Sequence, residues 1–155
     1  MLPAWSLRSE RALGPARVGV RAGWTEVVTT AGELVHRTPL PLAQARRWLR
    51  AHGGQATAGP LPTITRTRAL GTAFQLKVWR ATCRIPSGQR MTYGQLARAI
   101  GCRSAQAVGA ALGANPLAGL IPCHRVVAGR GLGGFAWGAA RKRAWLRAEA
   151  DAAAR

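Results

Sequence analysis

"TYGQLARAIGCRSAQAVGAALGANP", residues 92–116, holds two helix patterns separated by three residues. Thr92 and Gln95 stand at capping-box spacing, Leu96 and Ile100 share a face, and Gly101 supplies the stop. After Cys102 and Arg103, Ser104 is the natural N-cap of a second helix that ends before Asn115-Pro116. Helix, tight turn, helix is the outline of a helix-turn-helix. In the second helix Val108 and Leu112 make a core face, while Ala105, Gly109 and Gly113, four apart, form a stripe almost without bulk. An interior glycine costs a helix ~1 kcal/mol against alanine, so this stripe serves a close approach. Tight packing against another helix is one reading, and approach to a nucleic-acid groove is the other.

Downstream, "LIPCHRVV", residues 120–127, sets Cys123 beside His124 at the end of an apolar run. The pair is either incidental packing or a nucleophile with a proton acceptor close by. A thiol becomes a strong nucleophile as thiolate, which a neighbouring base and positive surroundings favour. A histidine acting as base is commonly held by a carboxylate. In the C-terminal part only Glu149 and Asp151 are available. "ARKRAWLRAEAD" reads as a helix with Trp145, Leu146 and Glu149 at inward spacing, which makes Glu149 the expected partner of His124.

Charge narrows the partner. The net charge of the 155 residues is +18, and between Glu33 and Glu149 there is no carboxylate against eighteen arginines and lysines. Arginine preference alone would explain the rarity of lysine (only Lys77 and Lys142) but not the absence of Asp and Glu. Such a surface faces a polyanion. Nucleic acid leads, and an anionic membrane comes second because no basic amphipathic helix with a broad apolar face is present. No run approaches the ~20 apolar residues of a membrane span, and "MLPAWSLRSERALG" lacks a signal-peptide layout. Three sparse cysteines argue for a reducing compartment; Cys83 and Cys102 read as small buried hydrophobes. No CxxC or HxxxH spacing offers a metal site.

Toward the N-terminus, residues 1–16 read as a loose lead-in. "RVGVRAGWTEVVTTAGELVHR" reads as two or three short antiparallel strands broken at Ala22-Gly23 and Ala31-Gly32. "PLPLAQARRWLRAHGG" reads as a helix with Leu42, Ala45 and Leu49 on one face. The Gly, Pro and Thr of the following stretch place a linker at 61–70, between a small N-terminal part (1–60) and a second domain (71–155). "FQLKVWRATCRIPSG" opens that domain as a helix pairing Phe74 with Val78 and Trp79 with Cys83. The expected fold class is α/β (α+β): short antiparallel strands followed by a winged helix-turn-helix-like domain.

From about Gly71 to Glu149 the chain resembles the O6-alkylguanine-DNA alkyltransferases, the single-use repair proteins that move an alkyl group from guanine onto their own cysteine. "IPCHRVV" matches the family's active-site run, and "GTAFQLKVWRA" and "IPSGQRMTYGQLA" match the helix and wing before it. "AVGAALGANP" matches the recognition helix and asparagine hinge, and "GFAWGAARKRAWLRAE" most resembles the C-terminal half of the bacterial adaptive-response member. The resemblance implies that Cys123 is the acceptor, His124 the base acting through water, and Glu149 its orienting group. Asn115 would brace the hinge, and Tyr93 would donate toward guanine N3 and press on the rotating phosphate. DNA contacts would come from Tyr93, Arg103, Ala105, Gln106, Gly109, Arg125 and Arg130, with backbone groups around Val126 and the "GGFAWG" loop, Ala136 and Trp137 included, around the base pocket. It also implies minor-groove docking on double-stranded DNA containing O6-alkylguanine, base flipping, no cofactor or metal, a monomer, and a cytoplasmic, nucleoid-associated place.

Two positions depart from the family's pattern. Gln106 stands where an arginine finger is usual, and Ala136 stands where some members offer a hydroxyl to O6. The N-terminal part is short for the family's ribonuclease-H-like domain. A second class of function, a lesion-binding relative that transfers nothing, lacks the acceptor cysteine that this chain keeps.

Overall fold

The computed structural model describes residues 2–8 and 12–155, which divide into two compact units: the described residues up to Leu76 with Pro116–Leu120, and Lys77–Asn115 with Ile121–Arg155. The first unit is a six-stranded mixed sheet. Its strands are β1 (Ala4–Leu7), β2 (Gly14–Arg21), β3 (Trp24–Thr29), β4 (Glu33–Thr38), β5 (Gly54–Ala56) and β6 (Arg66–Gly71), in the order β1-β6-β4-β3-β2-β5. β2, β3 and β4 form the expected antiparallel meander. The first hairpin closes through Ala22 (φ 50°) and Gly23 (φ 82°) opposite the Arg21–Trp24 pair. Two successive positive φ values make a type I′ turn, whose twist suits the strands it joins. Helix α1 (Leu42–Ala51) lays Ala45 and Leu49, both fully buried, among Leu13, Ala16, Val27, Val35 and Leu70.

Two expectations for this half are corrected. The lead-in contains β1 and the start of β2, and the supposed linker 61–70 ends in β6, which pairs in parallel with both β1 and β4. Only the irregular stretch 57–65 has the character the Pro and Gly content suggested. Ala69 and Leu70 are buried, so apolar burial and ladder bonds override the local composition. The division between units also falls later than residue 60, at Leu76/Lys77, inside helix α2 (Ala73–Thr82).

Pro116–Leu120 belongs to the sheet unit although both its neighbours in the chain belong to the other. The Arg37 amide donates to the Pro116 carbonyl at 2.9 Å, and the Ala118 amide donates to the Arg37 carbonyl at 3.0 Å. The segment thus continues the edge of β4 by one parallel bridge, Arg37 to Leu117.

The second unit is the winged helix-turn-helix. Its wing pairs β7 (Met91–Thr92) in parallel with β8 (Val126–Val127). Helix α3 (Tyr93–Ala99) opens on the complete Thr92/Gln95 capping box, and α4 (Ala105–Gly113) opens on Ser104, whose hydroxyl accepts from the Ala107 amide. Trp79, fully buried, donates its indole N–H to the Ala111 carbonyl at 2.9 Å and so ties α2 to α4. Helix α5 (Ala139–Ala153) closes the unit with Leu146 inward. Among the described residues no helix is long and apolar enough to cross a membrane.

Candidate active site

Three chain segments of the second unit converge on Cys123. It begins a 3-10 turn, Cys123–Arg125, entered through Pro122 and closed by the Arg125 amide donating to the Pro122 carbonyl at 3.0 Å. Just beyond the end of α4, the buried Asn115 amide donates to the Ile121 carbonyl at 2.8 Å and to the Cys123 sulfur at 3.1 Å. One side chain therefore fixes both the turn and the thiol. The turn directs His124 toward α5, where Nε2 lies 2.7 Å from Glu149 Oε1. With Nε2–H donating to the carboxylate, Nδ1 is the bare acceptor of the neutral ring. That Nδ1 is buried and has no hydrogen-bond partner among the described residues. Trp145 meets the imidazole edge-on, with ring centres 5.5 Å apart.

Glu149 serves a second group. Arg125 donates Nε and Nη2 to the same carboxylate, at 3.1 and 2.8 Å, and Nη1 to the Ile85 carbonyl at 2.7 Å. Burial pushes the Glu149 carboxyl up, but the bonds from Arg125 and His124 outweigh it and hold it below its ordinary range. Burial holds His124 below its ordinary range despite Glu149, so the ring is neutral near pH 7 and able to accept a proton.

The thiol faces a cavity of about 480 Å³ lined by Tyr93, Gln106, Gly109, Gly113, Phe135 and Ala136, among others. Here the glycine stripe of α4 finds its reason. A Cβ on Gly113 would meet nothing within 4 Å, and one on Gly109 would meet only the Tyr93 ring at 3.9 Å. Apart from the Tyr93 ring of α3, nothing among the described residues packs against these two glycines, and the stripe keeps the cavity wall flat. Across from it, Tyr93 donates its hydroxyl to the Gly134 carbonyl at 3.1 Å. Gly133 holds this loop close: its φ is +74°, and a Cβ would sit 2.7 Å from the Tyr93 ring.

Burial drives the Cys123 thiol up to about 11, with Asn115 and the charge of Lys142 pulling the other way. Lys142 is fully buried on α5, and its ammonium donates to the Gly134 carbonyl at 3.0 Å and to the Tyr93 hydroxyl at 3.4 Å. Burial lowers its pKa, and the thiolate charge of Cys123 opposes that lowering. Burial also raises the Tyr93 phenol, as does the nearby sulfur charge. The site is thus a largely apolar chamber that stores a neutral thiol among a base, a phenol and a cation.

The profile of "6-O-methylguanine DNA methyltransferase, DNA binding domain" matches residues 73–151. The chain belongs to that family. Among curated relatives, Escherichia coli Ada, a bifunctional transcriptional activator and DNA repair enzyme, is 53% identical over 83 residues, 52% of this chain and 23% of Ada. The methylated-DNA–protein-cysteine methyltransferase of Salmonella typhimurium is 50% identical over 96 residues, 59% of this chain and 56% of that protein. The chain therefore spans from about a quarter to just over half of these relatives' lengths. Among solved methyltransferase structures, Mycobacterium tuberculosis OGT in complex with DNA superposes with a TM-score of 0.64 at 31% identity, covering 88% of this chain and 93% of that one.

Within this fold Cys123 and Tyr93 line the cavity with Ala105, Gln106, Gly109 and Ala136, while Asn115 bonds the Cys123 sulfur and Glu149 pairs with the adjacent His124. Arg103 and Arg130 are exposed. Three sequence assignments need correction. Arg125 is occupied by Glu149 and Ile85, so its guanidinium is an internal brace rather than a free phosphate ligand. Val126 is fully buried in the wing ladder, and Trp137 packs edge-on against Phe135 at 5.1 Å; neither lines the cavity. Of the expected GGFAWG loop, Gly134 and Phe135, two and one residues before Ala136, do line it. Lys142 was missed altogether. The signal was present: it lies four residues before Leu146 and seven before Glu149, on the inward face of α5.

Proposed function

We propose that this chain is a single-use DNA repair methyltransferase that takes the alkyl group of O6-alkylguanine onto Cys123. The observation that carries this reading is a buried thiol at the floor of the cavity, bonded to Asn115 and next to a His124–Glu149 pair with a bare Nδ1. O6 is inside a base pair, so the nucleotide must leave the stack at a cost of a few kcal/mol before sulfur can reach the alkyl carbon. The bulk-free stripe of α4 would enter the minor groove, and Gln106 would fill the gap left behind. Arg103 and Arg130 would hold the backbone.

In the transfer the Cys123 proton passes through a water to His124 Nδ1, and Glu149 stabilises the resulting imidazolium. The thiolate attacks the alkyl carbon; the sulfur–carbon bond forms as the carbon–O6 bond breaks. Tyr93 supplies a proton to guanine N3, so guanine leaves neutral, and Lys142 faces the phenolate that remains. The thioether has no route back to thiol, which makes each molecule act once. We place the protein on chromosomal DNA in the cytoplasm as a monomer without cofactor, and read the sheet unit as a shortened form of the family's ribonuclease-H-like part.

The test is incubation with a duplex oligonucleotide carrying O6-methylguanine, followed by intact-protein mass. A gain of one methyl in the wild type and none in Cys123→Ser supports transfer. Tight retention of the lesion duplex with no mass change supports a binding-only role instead.

A further inference from the structure

The loop that carries Gly133 and Phe135 has two sides. Gly134, Phe135 and Ala136 line the cysteine cavity, while Gly131, Leu132 and Gly133 line a separate cleft of about 590 Å³. That cleft holds three guanidinium side chains, Arg90 from the segment before the wing and Arg143 and Arg147 from successive turns of α5. All three are exposed, and none has an ion-pair partner among the described residues. The second unit contains only two acidic side chains. Glu149 is committed to His124 and Arg125, and Asp151, one turn beyond Arg147, makes no ion pair among the described residues. Three like charges around one concavity repel each other, and the unit's one uncommitted carboxylate, Asp151, offsets them only in part. Leu132 and Leu146 give the cleft an apolar floor, which leaves the guanidinium forks to face an incoming anion.

We propose that the Arg90–Arg143–Arg147 cleft is a phosphate site for the backbone of the same duplex whose extruded nucleotide enters the cysteine cavity. The inference rests on the alkyltransferase reading and extends it to residues outside the helix-turn-helix. The shared loop is what favours DNA over another anion: a strand that brings a nucleotide to one side of residues 131–136 carries its phosphates past the other. Arg143 and Arg147, at i and i+4, present two forks on one helix face, the arrangement that suits phosphate oxygens.

The experiment measures the Kd of the full chain for a short duplex carrying O6-methylguanine at several salt concentrations, using the Cys123→Ser background to prevent reaction. The slope of log affinity against log salt counts neutralised phosphates, at about 0.9 per contact. Arg143→Gln with Arg147→Gln should lower that slope by about 1 to 2, with the curves converging at high salt. Arg143→Lys with Arg147→Lys keeps the charges and should keep the slope. On the reactive background, reaction with free O6-benzylguanine, which needs no DNA, checks that the glutamine pair still folds its cysteine site. An unchanged slope in the glutamine pair overturns the proposal, as does an equal loss in the lysine pair, which would mark packing rather than charge. A parent protein that neither binds duplex nor takes up alkyl groups defeats the alkyltransferase reading and this cleft with it. A parent that does both while the glutamine pair matches its slope defeats the cleft alone.

Discussion

In His124→Gln, which removes the internal base so that thiolate forms only by ionisation to solvent, raising the pH from 7 to 9 should accelerate alkyl uptake from free O6-benzylguanine about a hundredfold. The magnitude follows from the thiol at about 11, displaced upward chiefly by burial. Below its pKa an acid ionises tenfold more per pH unit, so the thiolate fraction is on the order of 1 in 10,000 at pH 7 and 1 in 100 at pH 9. Against an ordinary thiol the displacement amounts to roughly 2.7 kcal/mol, at 1.36 kcal/mol per unit. The sign for folding is the same: the native thiol keeps its proton after the unfolded chain has begun to lose it. That contribution is therefore whole below about pH 9 and fades as pH rises toward 11. The assay is single turnover with excess free base, quenched at intervals and read by protein mass. The free base removes DNA binding and flipping from the rate. A rate that is flat from pH 7 to 9 would refute the reasoning, because the reacting sulfur would then already be ionised. Asn115 and Lys142 would in that case outweigh burial.

Glu149→Gln should slow transfer more than tenfold, and it should also lower stability by roughly 2 kcal/mol, since Arg125 loses a charged partner while only 17% exposed. Chemical denaturation separates the two effects, and an undiminished rate would remove Glu149 from the chemistry. Gly109→Ala should raise thermal stability, by up to ~1 kcal/mol from helix propensity, because its Cβ makes only an ordinary contact with Tyr93. The same variant should bind duplex DNA several-fold more weakly, and equal binding would end the close-approach role of the stripe. Gln106→Arg should speed repair in duplex DNA and leave the free-base rate unchanged, since a guanidinium stacks better in the gap of a flipped nucleotide. Equal gains on both substrates would place its effect in the cavity rather than in flipping.

What was legible in the sequence was whatever local chemistry decides. The Thr92/Gln95 box, the Ser104 cap and the Ala22-Gly23 turn each satisfy their own backbone within four residues, so their spacing suffices to find them. The bulk-free stripe was legible as a pattern, but its purpose needed the empty space beside Gly109 and Gly113. The β1–β6 ladder was not legible, since Ala4 meets Arg68 across more than sixty residues and β6 follows a Pro- and Gly-rich stretch. Arg125, expected at the DNA, and Lys142, given no role, escaped for one reason: in a basic chain nothing in the sequence marks which cations turn inward. Here one braces Glu149 and the other faces the phenol and the thiol. The loop 131–136 follows no periodicity, so nothing in its sequence placed Phe135 rather than Trp137 in the cavity wall.

The most direct test of the account is a titration of the protein with increasing duplex O6-methylguanine, followed by peptide mapping of the methylated product. The account predicts uptake that levels off at one methyl per chain, carried entirely by the peptide containing Cys123, with Cys83 and Cys102 unmodified. Continued turnover past one equivalent, or methyl found on another cysteine, would contradict it.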